Sequence, residues 1–392
     1  MKKSLLFVLP SLKSGGAEKS LVTLLRLIDY KKYDVDLLLF RKEGLFLPLI
    51  PSEVNVMDAG EDYRMFDGSG GEAISYFIKN GKYPIALCRF LYAKAQRLPQ
   101  EKCAKKVWKY LSSVMPLLPK QYDAAIGYLE GTSTYYIADF VLAKKYISFL
   151  HTDYERIVSQ KSIDEKYYKK MDTLVGVSDK CSKKAEEHFS FLSGKTVTLH
   201  NIISPSLINE MAKEECELPN KGNSIAILTV GRISPPKGID TAVSACACLR
   251  DRGYDIKWYH IGIGELQTEI EKQIKDLSVE SRFILLGEQS NPYKYMAACD
   301  IYVQPSRFEG KSIAIDEAKA LAKPIVVTNF DTVFDQIENE VNGIITEKNP
   351  DSVADGVERL INDTTLREKL CENLKNEKVG NEEEIEKFYE LL

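Results

Sequence analysis

The 392 residues are too many for one ordinary α/β domain and suit two. Hydrophobic residues make up 44% and charged residues 28%, enough to bury two cores, and a net charge of −4 argues against a surface given over to nucleic acid. The eight cysteines include no Cys-x-x-Cys pair, so no zinc knuckle is expected, and scattered thiols fit a reducing, cytoplasmic setting.

Lys2 and Lys3 ahead of Leu5–Leu9 faintly suggest a signal peptide. The run breaks at Pro10 with no small-residue cleavage pattern, so it reads as a first strand. Similar short runs follow at Val35–Phe40, Val54–Met57, Ala124–Tyr128, Tyr146–Leu150 and Leu174–Val177. They resume at Ile225–Val230, Ile256–Ile261, Phe283–Leu286, Ile301–Val303, Ile325–Val327 and Ile344–Ile345. Continuous apolar runs of this length predict strands covered on both faces, and the amphipathic stretches between them predict crossover helices and parallel sheets. The stretch from Ile203 to Ser224, with Pro205, Pro219 and Gly222, reads as a linker. A domain over 1–203 and another over 204–375 are expected, with a last helix in 376–392 crossing back by Ile385, Phe388, Leu391 and Leu392. No apolar run approaches the roughly 18 residues that a membrane-spanning helix needs.

Between Tyr76 and Gln121 there are ten Lys or Arg and one acid, Glu101. One reading is a solvated helical face. The other is a patch attracted to an anionic membrane, with Phe90, Tyr92 and Trp108 inserting at the interface.

Several motifs fail on spacing. Gly194-Lys195-Thr196 and Gly310-Lys311-Ser312 lack the earlier glycine of a P-loop, where Phe189 and Pro305 stand instead. Gly262-Ile263-Gly264 lacks the third glycine of a dinucleotide fingerprint, because position 267 is Gln. Asp34-Val35-Asp36 opens a strand instead of following one, which argues against a metal-binding Asp-x-Asp.

The strongest constellation lies at 301–329. The strand from Ile301 runs into Pro305-Ser306-Arg307-Phe308-Glu309-Gly310, and a helix carrying Glu317 follows from about Ser312 before Pro324. Glu309 then lies at the carboxyl end of a parallel strand, where ligands of α/β sheets bind. The helix start at Ser312 and Ile313 offers backbone N–H groups and a positive dipole end to a diphosphate. A carboxylate accepts two hydroxyls of a vicinal diol, so Glu309 and Glu317 suit the two sugars that flank a diphosphate. Spacing alone leaves open a loop acid and a helix-surface acid.

Glu309 and Glu317, with seven residues between them, resemble the Glu-x7-Glu motif of family 4 retaining glycosyltransferases of GT-B fold. The likeness runs over most of the chain and is strongest in its C-terminal half. It implies that Glu309 meets the donor sugar and Glu317 the ribose. Gly231-Arg232-Ile233-Ser234-Pro235-Pro236-Lys237-Gly238 is similar to the family's Gly-Arg…Lys-Gly segment, so Arg232 and Lys237 would neutralise the departing diphosphate. Gly15-Gly16-Ala17-Glu18 resembles its glycine loop, with Gly16 approaching phosphate or acceptor by backbone. His151 resembles the histidine near the donor sugar; alone it reads as a loop histidine paired with Asp153. Gly262, Gly264, Gly287, Glu288 and Gln289 fall in loops that border the nucleotide in the family. His200-Asn201 resembles the segment entering the hinge, with no catalytic part for His200, and Lys311 departs from the apolar residue of many relatives.

The resemblance implies an α/β GT-B chain, two Rossmann-like domains facing each other across a cleft. The first holds a glycan or lipid-linked glycan acceptor and the second a nucleotide sugar, with UDP favoured as the nucleotide. It implies retaining, metal-independent transfer in surface polysaccharide synthesis, at the inner face of the cell membrane if the basic segment docks there. No metal, cofactor or nucleic acid is expected. The alternatives are a GT-B sugar-nucleotide epimerase, an inverting transferase, or a binding module without turnover.

Overall fold

The computed structural model describes residues 2–13, 15–156 and 161–392. The apolar runs pair as parallel strands in two separate sheets. The first sheet contains β1 (Lys3–Leu9), β2 (Tyr33–Leu39), β3 (Asn55–Asp58), β4 (Gln121–Gly127), β5 (Leu142–Leu150), β6 (Thr173–Gly176) and β7 (Thr196–Thr198), in the order β3-β2-β1-β4-β5-β6-β7. The second contains β8 (Ile225–Val230), β9 (Ile256–Ile261), β10 (Phe283–Leu285), β11 (Ile301–Gln304), β12 (Ile325–Thr328) and β13 (Ile344–Thr346), in the order β10-β9-β8-β11-β12-β13. Both are doubly wound, as expected. The strand order reverses at β1/β4 and again at β8/β11, and such switch points open a crevice at the carboxyl ends of the strands.

Strand alternation, with both faces of each sheet covered, explains why the runs are apolar at most positions instead of at every second one. Leu5, Phe7 and Leu9 pack with Leu21, Leu25 and Phe388 on one face of the first sheet. Leu6 and Val8 pack with Phe40, Phe77 and Tyr136 on the other. In the second sheet, Ile227 meets Val243 and Leu249 of the helix Ile239–Asp251, while Ala226 and Leu228 meet Tyr259, Tyr302 and Ile315.

The chain divides into Met1–Ile202 with Glu383–Leu392, and Ile203–Glu382. The terminal helix Glu384–Glu390 therefore belongs to the first unit, where the Phe388 ring stacks on Phe7 at 5.9 Å and Tyr389 on Tyr33 at 5.1 Å. Two elements depart from the sequence reading. The stretch read as a linker holds the helix Pro205–Met211, whose N-cap Ser204 accepts from the Leu207 N–H. The sequence reading has no counterpart of β7, a Thr-Val-Thr edge strand paired only with β6.

The basic segment folds as the end of the helix Gly70–Lys79 and the helices Tyr83–Ala95 and Gln100–Leu111; the side chain of Glu101 lies outside the described set. Here two of the three expected insertion residues are corrected. Trp108 is buried and its Nε1 donates to the Tyr167 hydroxyl at 2.8 Å. Tyr92 is buried against Phe66 at 5.2 Å. The exposed apolar residues of the helix Tyr83–Ala95 are Tyr83 (66%), Leu87 (58%) and Phe90 (47%). They fall at i, i+4 and i+7, one stripe of a helix. Among the described residues no helix is long and apolar enough to cross a membrane.

Candidate active site

The loops after β8, β9 and β10 are laced together by their backbones. Gly231 N–H donates to Ile261 O at 2.9 Å, Ile233 N–H to Ile263 O at 3.1 Å and Gly262 N–H to Gly287 O at 2.8 Å. This lacing, not a dinucleotide fingerprint, accounts for Gly262 and Gly264. Gly262 has φ +135°, and a Cβ there would fall 2.1 Å from Gly231 O; at Gly264 one would fall 2.1 Å from Ile233 O. No side chain fits either approach. His260 lies within the same layer, wholly buried, and burial pushes its imidazole down to about 4, so it is neutral.

The loops after β8 and β11, on either side of the switch point, are joined as well. Arg307 N–H donates to Pro236 O at 2.7 Å, and the Arg307 guanidinium holds Asp240 at 2.8 Å. Gly238 is left-handed, φ +65°, and a Cβ there would meet Pro305 O at 2.1 Å. This contact brings two predicted residues together. Lys237 Nζ lies 2.7 Å from Oε1 and 2.8 Å from Oε2 of Glu309. Glu309 is 8% exposed, so the pair is largely withdrawn from water.

Glu317 is on the helix Ile313–Ala320 and only 2% exposed, which removes the reading of a helix-surface acid. The Tyr293 hydroxyl donates to its Oε1 at 3.0 Å. Arg232 is solvent-facing and pairs with Glu265 at 3.2 Å. Gln289 Nε2 donates to Leu286 O at 2.8 Å, which ties the nucleotide-loop candidate back to its strand, and its neighbour Glu288 is half-buried. The N–H of Ser312 is already taken by Gln336 Oε1 at 2.9 Å, so that donor of the helix start serves the protein itself. The Ser312 hydroxyl is buried with no partner among the described residues, an orphaned donor beside the start of the helix at Ile313.

In the first unit, Gly16 opens the helix Gly16–Leu27. The Glu18 carboxylate folds back to the turn, 2.1 Å from where a Cβ on Gly15 would stand, and burial raises its pKa. His151 follows β5, its ring 5.2 Å from that of Tyr128 and its Nε2 buried without a partner among the described residues. Burial lowers the imidazole to about 4 against the opposing pull of Glu130, whose carboxylate accepts the His151 backbone N–H at 2.9 Å. The alternative reading, a loop histidine paired with Asp153, finds no support among the described residues, where Asp153 pairs with Lys180 at 2.7 Å. Asp36 of the Asp-x-Asp is a structural acid. Burial raises its pKa, but hydrogen bonds from Lys120, Asn55 and Tyr122 outweigh that and hold it low.

With the loops and acids placed, likeness to known proteins becomes specific. Residues 211–377 match the family model described as glycosyl transferases group 1. The second unit belongs to the group 1 glycosyl transferases. Across almost its whole length the chain is 25% identical to the N-acetylgalactosamine-N,N'-diacetylbacillosaminyl-diphospho-undecaprenol 4-alpha-N-acetylgalactosaminyltransferase of Campylobacter jejuni, covering 91% of this chain and 90% of that one. It is 29% identical over 172 residues, 42% of this chain and 44% of the other, to the UDP-Gal:alpha-D-GlcNAc-diphosphoundecaprenol alpha-1,3-galactosyltransferase of Escherichia coli. The fold matches Anabaena Alr3699/HepE, solved in complex with UDP and glucose, at a TM-score of 0.64 and 17% identity over 99% of this chain and 98% of that one. The architecture is GT-B.

Four residues that brace the glycosyltransferase's site were not singled out from sequence. Gln304 Nε2 and Ser306 Oγ donate to Glu309 Oε1 at 3.2 and 2.7 Å, and both residues are wholly buried. Gln336 braces Ser312, and its Nε2 also holds Asp316 at 2.8 Å. The available signal was two polar residues, Gln304 and Ser306, at the carboxyl end of a strand otherwise covered by apolar side chains. Tyr293, the partner of Glu317, carries no such signal.

Proposed function

We propose that this glycosyltransferase moves a sugar from a UDP-sugar to a lipid-linked glycan during surface polysaccharide assembly, with retention of configuration and without a metal ion. The observation that carries the proposal is the pairing of Lys237 with Glu309 at the β8/β11 switch point, with Glu317 buried on the helix that follows. A cation and two carboxylates at that position suit a ligand with a diphosphate between two sugars. Lys237, with Arg232, neutralises charge as the diphosphate leaves. Glu309 accepts hydroxyls of the transferred sugar, and Glu317 those of the ribose. Departure of the diphosphate on the face that the acceptor attacks keeps the configuration, and a donor phosphate oxygen takes the acceptor's proton. The UDP and undecaprenol-diphosphate chemistry in the names of the relatives supports the donor and acceptor classes.

The acceptor class gives the basic helices a purpose. Of the ten cations in 76–121, Arg89 is buried, Lys82 pairs with Asp62 and Lys120 with Asp36; the other seven are exposed. With the Tyr83, Leu87 and Phe90 stripe they form a surface suited to an anionic membrane, where a lipid-linked acceptor is confined.

Nucleotide binding tests the donor half. UDP, GDP and ADP are compared for their effect on melting temperature at millimolar concentration, and UDP should give the largest rise. Glu317→Gln should weaken UDP binding by about 1–3 kcal/mol, because ribose hydroxyls are left poorly paired. A flat response to all three nucleotides refutes the donor site, and unchanged affinity in the folded variant removes Glu317 from it.

A further inference from the structure

We infer that Lys237 and Glu309 are exchangeable counter-ions, a latch that makes the site discriminate between a complete nucleotide sugar and the nucleoside diphosphate left after transfer. The inference rests on the nucleotide-sugar reading and adds to it what the two charges do for each other before the donor arrives.

The two carboxylate oxygens of Glu309 are held differently. Oε1 accepts from Ser306 Oγ at 2.7 Å, Gln304 Nε2 at 3.2 Å and Lys237 Nζ at 2.7 Å. The Tyr302 hydroxyl donates to Gln304 Oε1 at 2.6 Å, so the amide is turned with its NH₂ towards Glu309. Ser306 is fixed in turn, its carbonyl accepting from the Thr328 hydroxyl. Tyr302, Gln304, Ser306 and Thr328 are all wholly buried, which makes the grip on Oε1 rigid. Oε2 accepts from Lys237 alone among the described residues, at 2.8 Å.

A largely buried ion pair is costly to break from one side, because the remaining charge stays out of water without a partner. When a diphosphate draws Lys237 away, Oε1 keeps its two protein donors and Oε2 is left bare. A sugar hydroxyl from the same ligand supplies the missing donor. A nucleoside diphosphate has lost the transferred sugar, and its ribose hydroxyls belong to Glu317, so it must separate the pair without compensation. The pair thus opposes the product more than the donor, and favours release of the nucleotide once the sugar has gone.

The consequence runs against the usual effect of deleting a site residue. Glu309→Gln keeps shape and the bonds to Oε1 but frees Lys237, so it should bind UDP more tightly, by about tenfold or more, while losing transfer. Glu309→Ala, which removes the side chain altogether, should change UDP affinity in the same direction. Calorimetric titration of UDP alone, at one pH and ionic strength, compares both variants with the wild type, and circular dichroism checks their folding. Tighter UDP binding in either folded variant supports the latch. Equal or weaker binding in the folded variants, with UDP still binding the wild type, overturns the latch and leaves the nucleotide-sugar reading intact. No binding of UDP, GDP or ADP to the wild type overturns that reading, and the latch with it.

Discussion

Lys237→Ala is expected to slow glycosyl transfer by about 10²-fold or more, the loss seen when one preorganised charge is removed from a developing anion. Negative charge grows on the diphosphate as the glycosidic bond breaks, and no metal ion is invoked to meet it. Of the two predicted cations, Arg232 is solvent-facing, its side chain 71% exposed, so its field is screened. Lys237 is the better placed, with its side chain 27% exposed in a loop that Gly238 and Arg307 tie to the neighbouring strand. The variant also leaves the Glu309 carboxylate without its counter-ion, so turnover is to be compared at a temperature where melting shows the variant folded. Turnover close to the wild type would return Lys237 to the ordinary exposed lysines.

Protein mixed with anionic vesicles at low salt should float with them, and protein mixed with neutral vesicles should stay behind. Each cation near an anionic surface contributes about 1 kcal/mol, so a few of the exposed lysines and arginines on 76–121 suffice for reversible attachment. Phe90 and Leu87 add shallow insertion, and Lys94 sits 4.5 Å from the Phe90 ring, a cation beside an apolar anchor. Attachment should fade as salt rises, since the Debye length falls to about 3 Å at 1 M. Leu87→Glu with Phe90→Glu should reduce flotation by placing acids where the helix meets lipid. Equal flotation with both vesicle types, or none with either, would leave these helices as a solvated face.

The bounds of β8 and β9 were legible to the residue, because Ile225–Val230 and Ile256–Ile261 are mostly apolar and begin and end on aliphatic residues. β7 is an edge strand of three residues with polar threonines, so it has no such run. The helix Pro205–Met211 carried a legible start, a serine cap before a proline, hidden among turn residues. Glu309, Glu317 and Lys237 were legible because the resemblance rests on their order and spacing. What holds them was not: Ser306 is three residues from Glu309, but Tyr293 reaches Glu317 from another helix, and only tertiary packing brings that contact about. The same limit explains Trp108 and Tyr92. Aromatic residues among lysines suggest a membrane face, but which side of each helix turns inward depends on partners such as Tyr167 and Phe66.

The most direct measurement is analysis of the transfer product. Purified protein is incubated in the presence of a chelator with α-configured UDP-sugars and a bacterial lipid extract that carries diphosphate-linked glycans. Release of UDP with formation of an α-linked, lipid-attached sugar is the predicted result. A β-linked product, a strict requirement for added metal, or no sugar transfer from any nucleotide sugar would contradict it.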